Sequence, residues 1–401
     1  MSSIALVVPA YEEGGGVRTV TDFILDGLRD TAYVPTLYSL ASSARSPVSR
    51  RILRPSTWTG YPRMDRWETP GGREITRVGS DLAEIEYLRF RPRDFFTREL
   101  NRHDLVQVVC GIPAWAWVCR DCRPPVLLQV ATLTPVERAS KKEGYRGLAG
   151  LWKRLMTGMV TGLDSRGLGV SDAILVENAW MQEWLEERGY GGKTHFAPPG
   201  VDTGVFHPPE EGEDNPLQRP YILSVGRFSD PRKDVETLFR AYALLMSRTE
   251  GPVPGLVLAG RSMPGEAVRK LARELGIWDR ISLMQNLTRG ELAELYRHAD
   301  FFVLSSREEG LGMVIMEAMA SGTAVLSTDS GGPRTLITPG ESGLLTPVGD
   351  PGALAEGMRE LIEDPARRKR MAGKGLQTVR ERFTLRQAID TYKTLYTRML
   401  Q

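Results

Sequence analysis

Residues 301–322 read "FFVLSSREEGLGMVIMEAMASG", and their reading decides the fold. "FFVL" is a buried strand by its apolar run, and "MVIMEAMA" is a helix apolar on nearly all sides, which places it between layers. A turn, Glu308–Gly312, joins them. Strand, glycine turn and helix in that order make the repeating unit of a parallel sheet, and ligands of such sheets collect beyond the carboxyl ends of the strands. Gly310 and Gly312 let the backbone bend and admit a close ligand. The first helical amides, from Leu311 through Gly312 and Met313 to Val314, have no carbonyl partners within the helix and face an incoming anion. Glu317 is the anomaly, because an unsatisfied polar group among methionines costs roughly a few kcal/mol. It lies roughly 9 Å along the axis from Leu311, while Glu309 precedes the helix. Two carboxylates bracketing an anion site match the ribose diol, diphosphate and hexose hydroxyls of a nucleotide sugar. The plainer alternative holds Glu317 on an internal arginine and leaves Glu309 in water.

Outward from this stretch, strand-like and helix-like segments alternate. "YILSVGRF", "GLVLAG" and "ISLMQNL" read as strands of the same domain. In "SVGRFSDPRKD", Arg227 ends a strand and Lys233 follows six residues later, so two cations meet the same sheet edge. Such a pair suits a diphosphate leaving group, which gains charge as its bond to the sugar breaks. The first half runs through "IALVVPAY", "DLVQVV", "PVLLQV" and "AILVEN". After its first strand, "AYEEGGGVRTV" sets Gly15 and Gly16 at the head of a helix as a second anion cradle on the donor side, with Tyr11 and Glu13 beside it as acceptor-side candidates, like Thr132 and Thr134 further on. The turn is not G-x-G-x-x-G, which speaks against a dinucleotide oxidoreductase.

The chain has 401 residues, 41% hydrophobic and 25% charged, a composition for two globular domains. Residues 207–219, rich in Pro and acids, read as the linker between an N-terminal domain, 1–206, and a C-terminal one, 220–383. "LRQAIDTYKTLYTRML" is a closing helix by the spacing of Leu385, Ile389, Tyr392, Leu395 and Met399. A net charge of +2 and no binding motif argue against nucleic acid. The start, "MSSIALVVPAY", reads as a strand rather than a leader, and no run approaches a membrane span, so a cytoplasmic protein is expected. Cys110, Cys119 and Cys122 suit a reducing compartment, as free thiols or, with His103, as the start of a metal site.

Two regions break the rhythm. Residues 41–102 carry 13 Arg against 8 acids, with Trp58, Tyr61 and Trp67. They read as an irregular solvated excursion, or as a loop whose aromatic faces stack on sugar rings. Residues 138–159 place Leu148, Leu151, Trp152, Leu155 and Met159 at helical spacing, flanked by Lys141, Lys142, Arg146, Lys153 and Arg154. That helix either docks on the core or lies on an anionic membrane surface.

Together these motifs resemble the family 4 retaining glycosyltransferases of the GT-B fold. "EGLGMVIMEAMASG" is similar to that family's paired-glutamate motif, "SVGRF" with Lys233 to its diphosphate clamp, and "PPGVDTGVFHP" to its domain junction. The resemblance implies two Rossmann-like α/β domains with parallel sheets facing across a cleft. It gives the acceptor to the N-terminal domain and the donor to the C-terminal one, and it returns the last helix, 384–401, to the N-terminal domain. It further implies Glu309 on the donor sugar, Glu317 on the ribose, Arg227 and Lys233 on the diphosphate, and Asn286 and Leu287 edging the base. The implied reaction moves a hexose from a UDP- or GDP-linked donor to a hydroxyl of a glycan, lipid or small molecule. Configuration is retained by front-face attack, with no metal and no cofactor; the chain has no D-x-D. Two departures stand out. Many relatives carry a histidine where this chain has Ala131 and Thr132, so Thr132 or Thr134 is the expected replacement, and Thr335 stands where a glutamate is common. The loss leaves a non-catalytic sensor, a partner subunit or an epimerase of the same fold as the alternative.

Overall fold

The computed structural model describes residues 1–43, 46–59, 63–69, 72–138 and 147–401. The chain divides into two compact units, one of residues 1–199 with 388–401 and one of residues 200–387.

The second unit holds six strands: β9 (Tyr221–Arg227), β10 (Gly255–Ser262), β11 (Ile281–Gln285), β12 (Phe301–Leu304), β13 (Val325–Thr328) and β14 (Leu344–Thr346). Their order is β11-β10-β9-β12-β13-β14, and all neighbours are parallel. This is the doubly wound order, in which connections lead outward from a central pair. Its switch point lies between β9 and β12, the position at which doubly wound sheets take their ligands, beyond the strand ends. The strands are apolar throughout because helices cover both faces. Ile222, Leu258 and Val303 are wholly buried with Leu238, Phe239 and Met358 from flanking helices.

In the first unit, β1 (Ser2–Pro9), β2 (Tyr33–Leu40), β3 (Met64–Glu68), β4 (Glu74–Val78), β5 (Leu105–Cys110), β6 (Val126–Val130), β7 (Ala173–Val176) and β8 (Thr194–Phe196) form one sheet. The order is β3-β4-β2-β1-β5-β6-β7-β8, parallel except for the β3–β4 hairpin. The terminal helix, Leu385–Met399, spans the unit boundary and buries Ile389, Tyr392 and Tyr396 from its later turns. Tyr392 meets Phe23 edge-on at 5.6 Å, and Tyr396 meets Tyr33 at 5.2 Å. Gly27 is needed for this approach, since a Cβ there would lie 1.9 Å from Ile389 Cδ1.

Two sequence readings change. The 41–102 region is not an irregular excursion, because β3 and β4 lie inside it and β4 extends the parallel sheet beside β2. Short polar strands at a sheet edge lack the apolar run that marks a buried strand. Trp58 donates to Arg51 O at 2.9 Å with Arg50 over its ring, and Arg77 lies 5.4 Å from the Trp67 ring centre, so cations already occupy these faces. Tyr61 lies outside the described residues, as do Lys141, Lys142 and Arg146. The stretch 207–219, read as a linker, sits within the second unit: Glu213 pairs with Arg297 at 2.6 Å. The unit boundary falls at Gly200, where Val201 pairs with the returning chain at Phe383–Leu385 through bonds of 2.9 and 3.0 Å.

Candidate active site

Two loops at the switch point of the second unit are tied to one another. After β9 the chain turns through Asp230, whose carboxylate accepts from the Arg232 amide at 3.1 Å. Burial works to raise the Asp230 pKa, but hydrogen bonding and charge from Arg232, with Arg227 behind, outweigh it and hold the group at about 2. Asp234 takes a left-handed conformation (φ 44°) and ends the turn. After β12, Ser305 Oγ donates to Lys233 O at 2.9 Å, the Arg307 amide to Arg232 O at 2.7 Å, and Arg307 Nε to Asp234 at 2.9 Å. These bonds join segments more than 70 residues apart in sequence and fix where Lys233 points.

The Lys233 stem lies on the β9 backbone. A Cβ at Gly226 would sit 3.5 Å from Lys233 Cδ, and one at Gly260 on β10 would lie 1.9 Å from Gly226 O. Lys233 Nζ donates to Glu309 Oε1 at 2.5 Å, and Ser306 Oγ donates to the same oxygen at 2.5 Å. Both charged side chains are mostly covered, 15% and 12% exposed. Arg227 reaches the site through Asp230, at 3.3 Å, and is the more exposed cation. The Glu309 backbone is held from behind by Ser330 O and the Gly332 amide at 3.0 Å each. A Cβ at Gly332 would meet Gly310 O at 2.5 Å, so the second glycine of "GGPRT" is a packing requirement of the glutamate turn.

Gly312 (φ 90°) then opens the helix Met313–Ala320. Its left-handed conformation favours glycine and aims the first-turn amides of Met313 and Val314 out of the helix end. Leu311, Ile315, Met316 and Met319 are buried. Glu317 accepts from the Tyr296 hydroxyl at 2.9 Å. Burial, eased by Tyr296 and by the charge of Arg289, pushes its pKa up to about 7. Arg289 pairs with Asp202, and no ion pair to Glu317 occurs among the described residues. The internal-arginine alternative therefore does not describe Glu317. Asn286 follows β11 in a left-handed conformation (φ 60°), and its amide donates to Gly260 O at 3.2 Å. Leu287 comes next, half-buried. Glycine and asparagine thus line adjacent strand ends: Gly226, Gly260, Asn286.

The first unit places its candidates differently. Gly14 and Gly15 have φ of 77° and 91°, Gly15 precedes the helix Gly16–Gly27, and a Cβ at Gly16 would meet no atom within 4 Å. The glycine cradle is therefore open. Tyr11 is 1% exposed and donates to Asp22 at 2.5 Å, its pKa pushed up to about 12 by burial and that carboxylate. As an acceptor-side group it is displaced by this core role. Glu13 accepts from Ser42 Oγ at 2.9 Å on the surface. Thr134 is also committed, giving its hydroxyl and amide to Asp164 at 2.9 Å each. Asp164 accepts from Ala114 N as well, and burial, opposed by those bonds, raises its pKa to about 6. Thr132 is different: its buried hydroxyl has no hydrogen-bond partner. Of the two candidates to replace a histidine, only Thr132 has a spare polar atom.

Sequence reasoning missed Ser305, Ser306 and Arg307 as the stitches, Tyr296 as the glutamate's partner, and Glu177. Glu177 follows β7 in a buried chain in which Gln107 donates to Gln129 at 3.2 Å and Gln129 to Glu177 at 3.0 Å, with Tyr396 donating to Gln107. Burial lifts its pKa to about 7 despite the Gln129 bond. Glutamines at 107 and 129 inside apolar strands were the available sign. The three cysteines are free, and no group of three metal-ligating side chains occurs among the described residues.

Residues 210–378 match the family described as glycosyl transferases group 1. Over the whole length, the structure is similar to sucrose-phosphate synthase from Thermosynechococcus elongatus, with a TM-score of 0.72, 22% identity, and 100% and 99% of the two chains covered. The chain has the GT-B glycosyltransferase fold. Anabaena HepE, solved with UDP-glucose, shares this GT-B architecture at a TM-score of 0.70, 17% identity and 99% and 100% coverage. In sequence, the GT-B chain is 36% identical over 184 residues to the lipopolysaccharide core biosynthesis glycosyltransferase LpsE of Rhizobium meliloti, covering 45% of this chain and 51% of that one. It is 32% identical over 251 residues to a D-inositol 3-phosphate glycosyltransferase of Xylanimonas cellulosilytica, covering 57% and 59%. The matches span about half the length of these curated relatives.

Proposed function

We propose that this protein is a retaining hexosyltransferase that takes a nucleoside diphosphate sugar, UDP-linked first, and passes the hexose to an acceptor hydroxyl without a metal. The observation that carries this reading is the Lys233–Glu309 pair at 2.5 Å, at the switch point beside a helix amino end. A cation, a carboxylate and free amides so arranged fit a diphosphate next to a sugar hydroxyl. Donor binding exchanges the pair: the ammonium turns to the diphosphate, and Glu309 accepts from the hexose. Arg227 adds a second positive charge as the phosphate–sugar bond breaks. Glu317 takes the ribose diol on the oxygen that Tyr296 leaves free. The amide edge at Asn286–Leu287 borders the base, and Met313 and Val314 donate to phosphate oxygens.

In the transfer step, the acceptor oxygen bonds to the anomeric carbon on the face the diphosphate leaves. The acceptor proton passes to a departing phosphate oxygen, so no protein base is needed. Support for the donor comes from HepE, a protein of the same fold solved with UDP-glucose. The acceptor falls to the first unit, with Glu13 and Thr132 at its strand ends, while Gly15 and Gly16 are kept as an anion cradle for the donor. A thermal-shift panel of UDP-, GDP- and ADP-sugars tests the reading, followed by assay of nucleoside diphosphate release. A shift with one donor and slow release of its diphosphate is expected. No shift with any donor would sink the proposal, and binding without release would make the protein a sensor.

A further inference from the structure

The helix Gly147–Val170 is apolar on more of its circumference than the first unit covers. Met156, Val160 and Leu163 face the core and are buried. Leu151, Leu155 and Met159 stand one above another at four-residue spacing, with Trp152 beside them, and are 65%, 54%, 39% and 49% exposed respectively. This second apolar arc adjoins the buried one, and nothing within the described residues covers it. Arg154 is exposed beside this arc, and Lys153 is exposed on the far side of the buried one. No acid occurs between Glu143 and Asp164, while Lys141, Lys142 and Arg146 precede the helix in sequence.

Exposed Leu, Trp and Met beside Arg154, on a helix with no acid before Asp164, complement an acyl boundary under negative headgroups. A second copy docked face to face would bring the same acid-free, cationic face against it, with no anion to balance Arg154. No helix among the described residues is long and apolar enough to cross a membrane, so contact through this arc would be from one side. We propose that this face of the helix docks the protein on an anionic bilayer surface.

The placement bears on the acceptor, a consequence that rests on the transferase reading. Asp164, on the same helix, fixes the loops after β5 and β6 through Ala114 and Thr134. Leu155 is nine residues away, about 14 Å along the axis. A rigid element therefore links the docking arc to the strand-end loops of the acceptor-side unit, which suits an acceptor presented at the membrane, such as a lipid-linked glycan.

Co-sedimentation of the full chain with phosphatidylcholine vesicles, alone and containing phosphatidylglycerol, tests the docking without relying on turnover. Binding is expected to the anionic vesicles only, to weaken with salt, to fall at least about tenfold in Leu151→Ser/Leu155→Ser, and to drop in Lys153→Glu/Arg154→Glu. Unchanged thermal melts of these surface variants keep folding out of the comparison. Two results would overturn it: no binding by the wild-type chain, or undiminished binding by the Leu151→Ser/Leu155→Ser variant. A dimer that this variant abolishes, with vesicles inert, would assign the face to a second copy instead. Vesicle binding with no donor turnover would leave the docking intact and reject the transferase reading alone.

Discussion

At the residue scale, two carboxylates in one site differ by what surrounds them. Glu309 faces an ammonium and a hydroxyl; Glu317 has a phenol and a dense apolar shell. Lys233→Ala should depress turnover more than donor affinity, because its charge answers the developing leaving group. Steady-state rates beside calorimetric donor binding would separate the two; equal losses would mean that Lys233 only anchors the ground state. Glu317→Ala should weaken nucleotide binding by roughly 1–3 kcal/mol, the scale of a lost buried partner. Its raised pKa adds a pH signature. With an ordinary value of 4.5 lifted to about 7, much of the carboxyl is protonated near neutrality. Donor affinity should therefore rise as pH climbs through that value and the group becomes a pure acceptor. Glu317→Gln should flatten the curve, and calorimetry on either side of neutrality would check it.

At the scale of elements, the site depends on backbones that nearly touch. Gly260→Ala would place a Cβ 1.9 Å from Gly226 O, against a strand carbonyl that cannot rotate aside. It should destabilise the second unit by about 1–3 kcal/mol, as overpacking does, and weaken donor binding by moving the Lys233 stem. Chemical denaturation and a donor thermal shift would measure both. In the first unit the ladder from Tyr396 to Glu177 crosses β5, β6 and β7. Glu177 is neutral in both folded and unfolded chains below about pH 4.5; between there and its folded value of about 7 the folded state keeps a proton that the unfolded state loses. Stability from this group therefore falls as pH rises through that window. Glu177→Gln keeps an acceptor for Gln129 and removes the charge. Its melting temperature should gain on the wild type above neutrality, by up to about 3 kcal/mol of stability, and match it in acid. A constant difference at all pH values would rule out titration of Glu177 as the cause.

Across the whole molecule, the last fourteen residues belong to the unit that begins the chain. Tyr396 is wholly buried there against Tyr33 and bonded to Gln107. Tyr396→Ala should cost the first unit about 3–5 kcal/mol, the range for deleting a buried aromatic, and domain-resolved calorimetry should leave the second unit's transition in place. The alternating pattern, the strand–turn–helix at Phe301–Ala320 and the position of Glu317 were legible in the sequence, because periodicity and turn chemistry act over a few residues. So were the glycine cradle and the helical spacing of the terminal segment. Tertiary structure alone decided that Lys233 meets Glu309 across 76 residues, that Tyr296 rather than an arginine holds Glu317, that Tyr11 and Thr134 serve the core while Thr132 keeps a spare hydroxyl, and that residues 200–219 join the second unit. The division is physical: short-range pattern selects an element, but a partner is chosen by strand order and register, which bring together side chains that no local spacing relates.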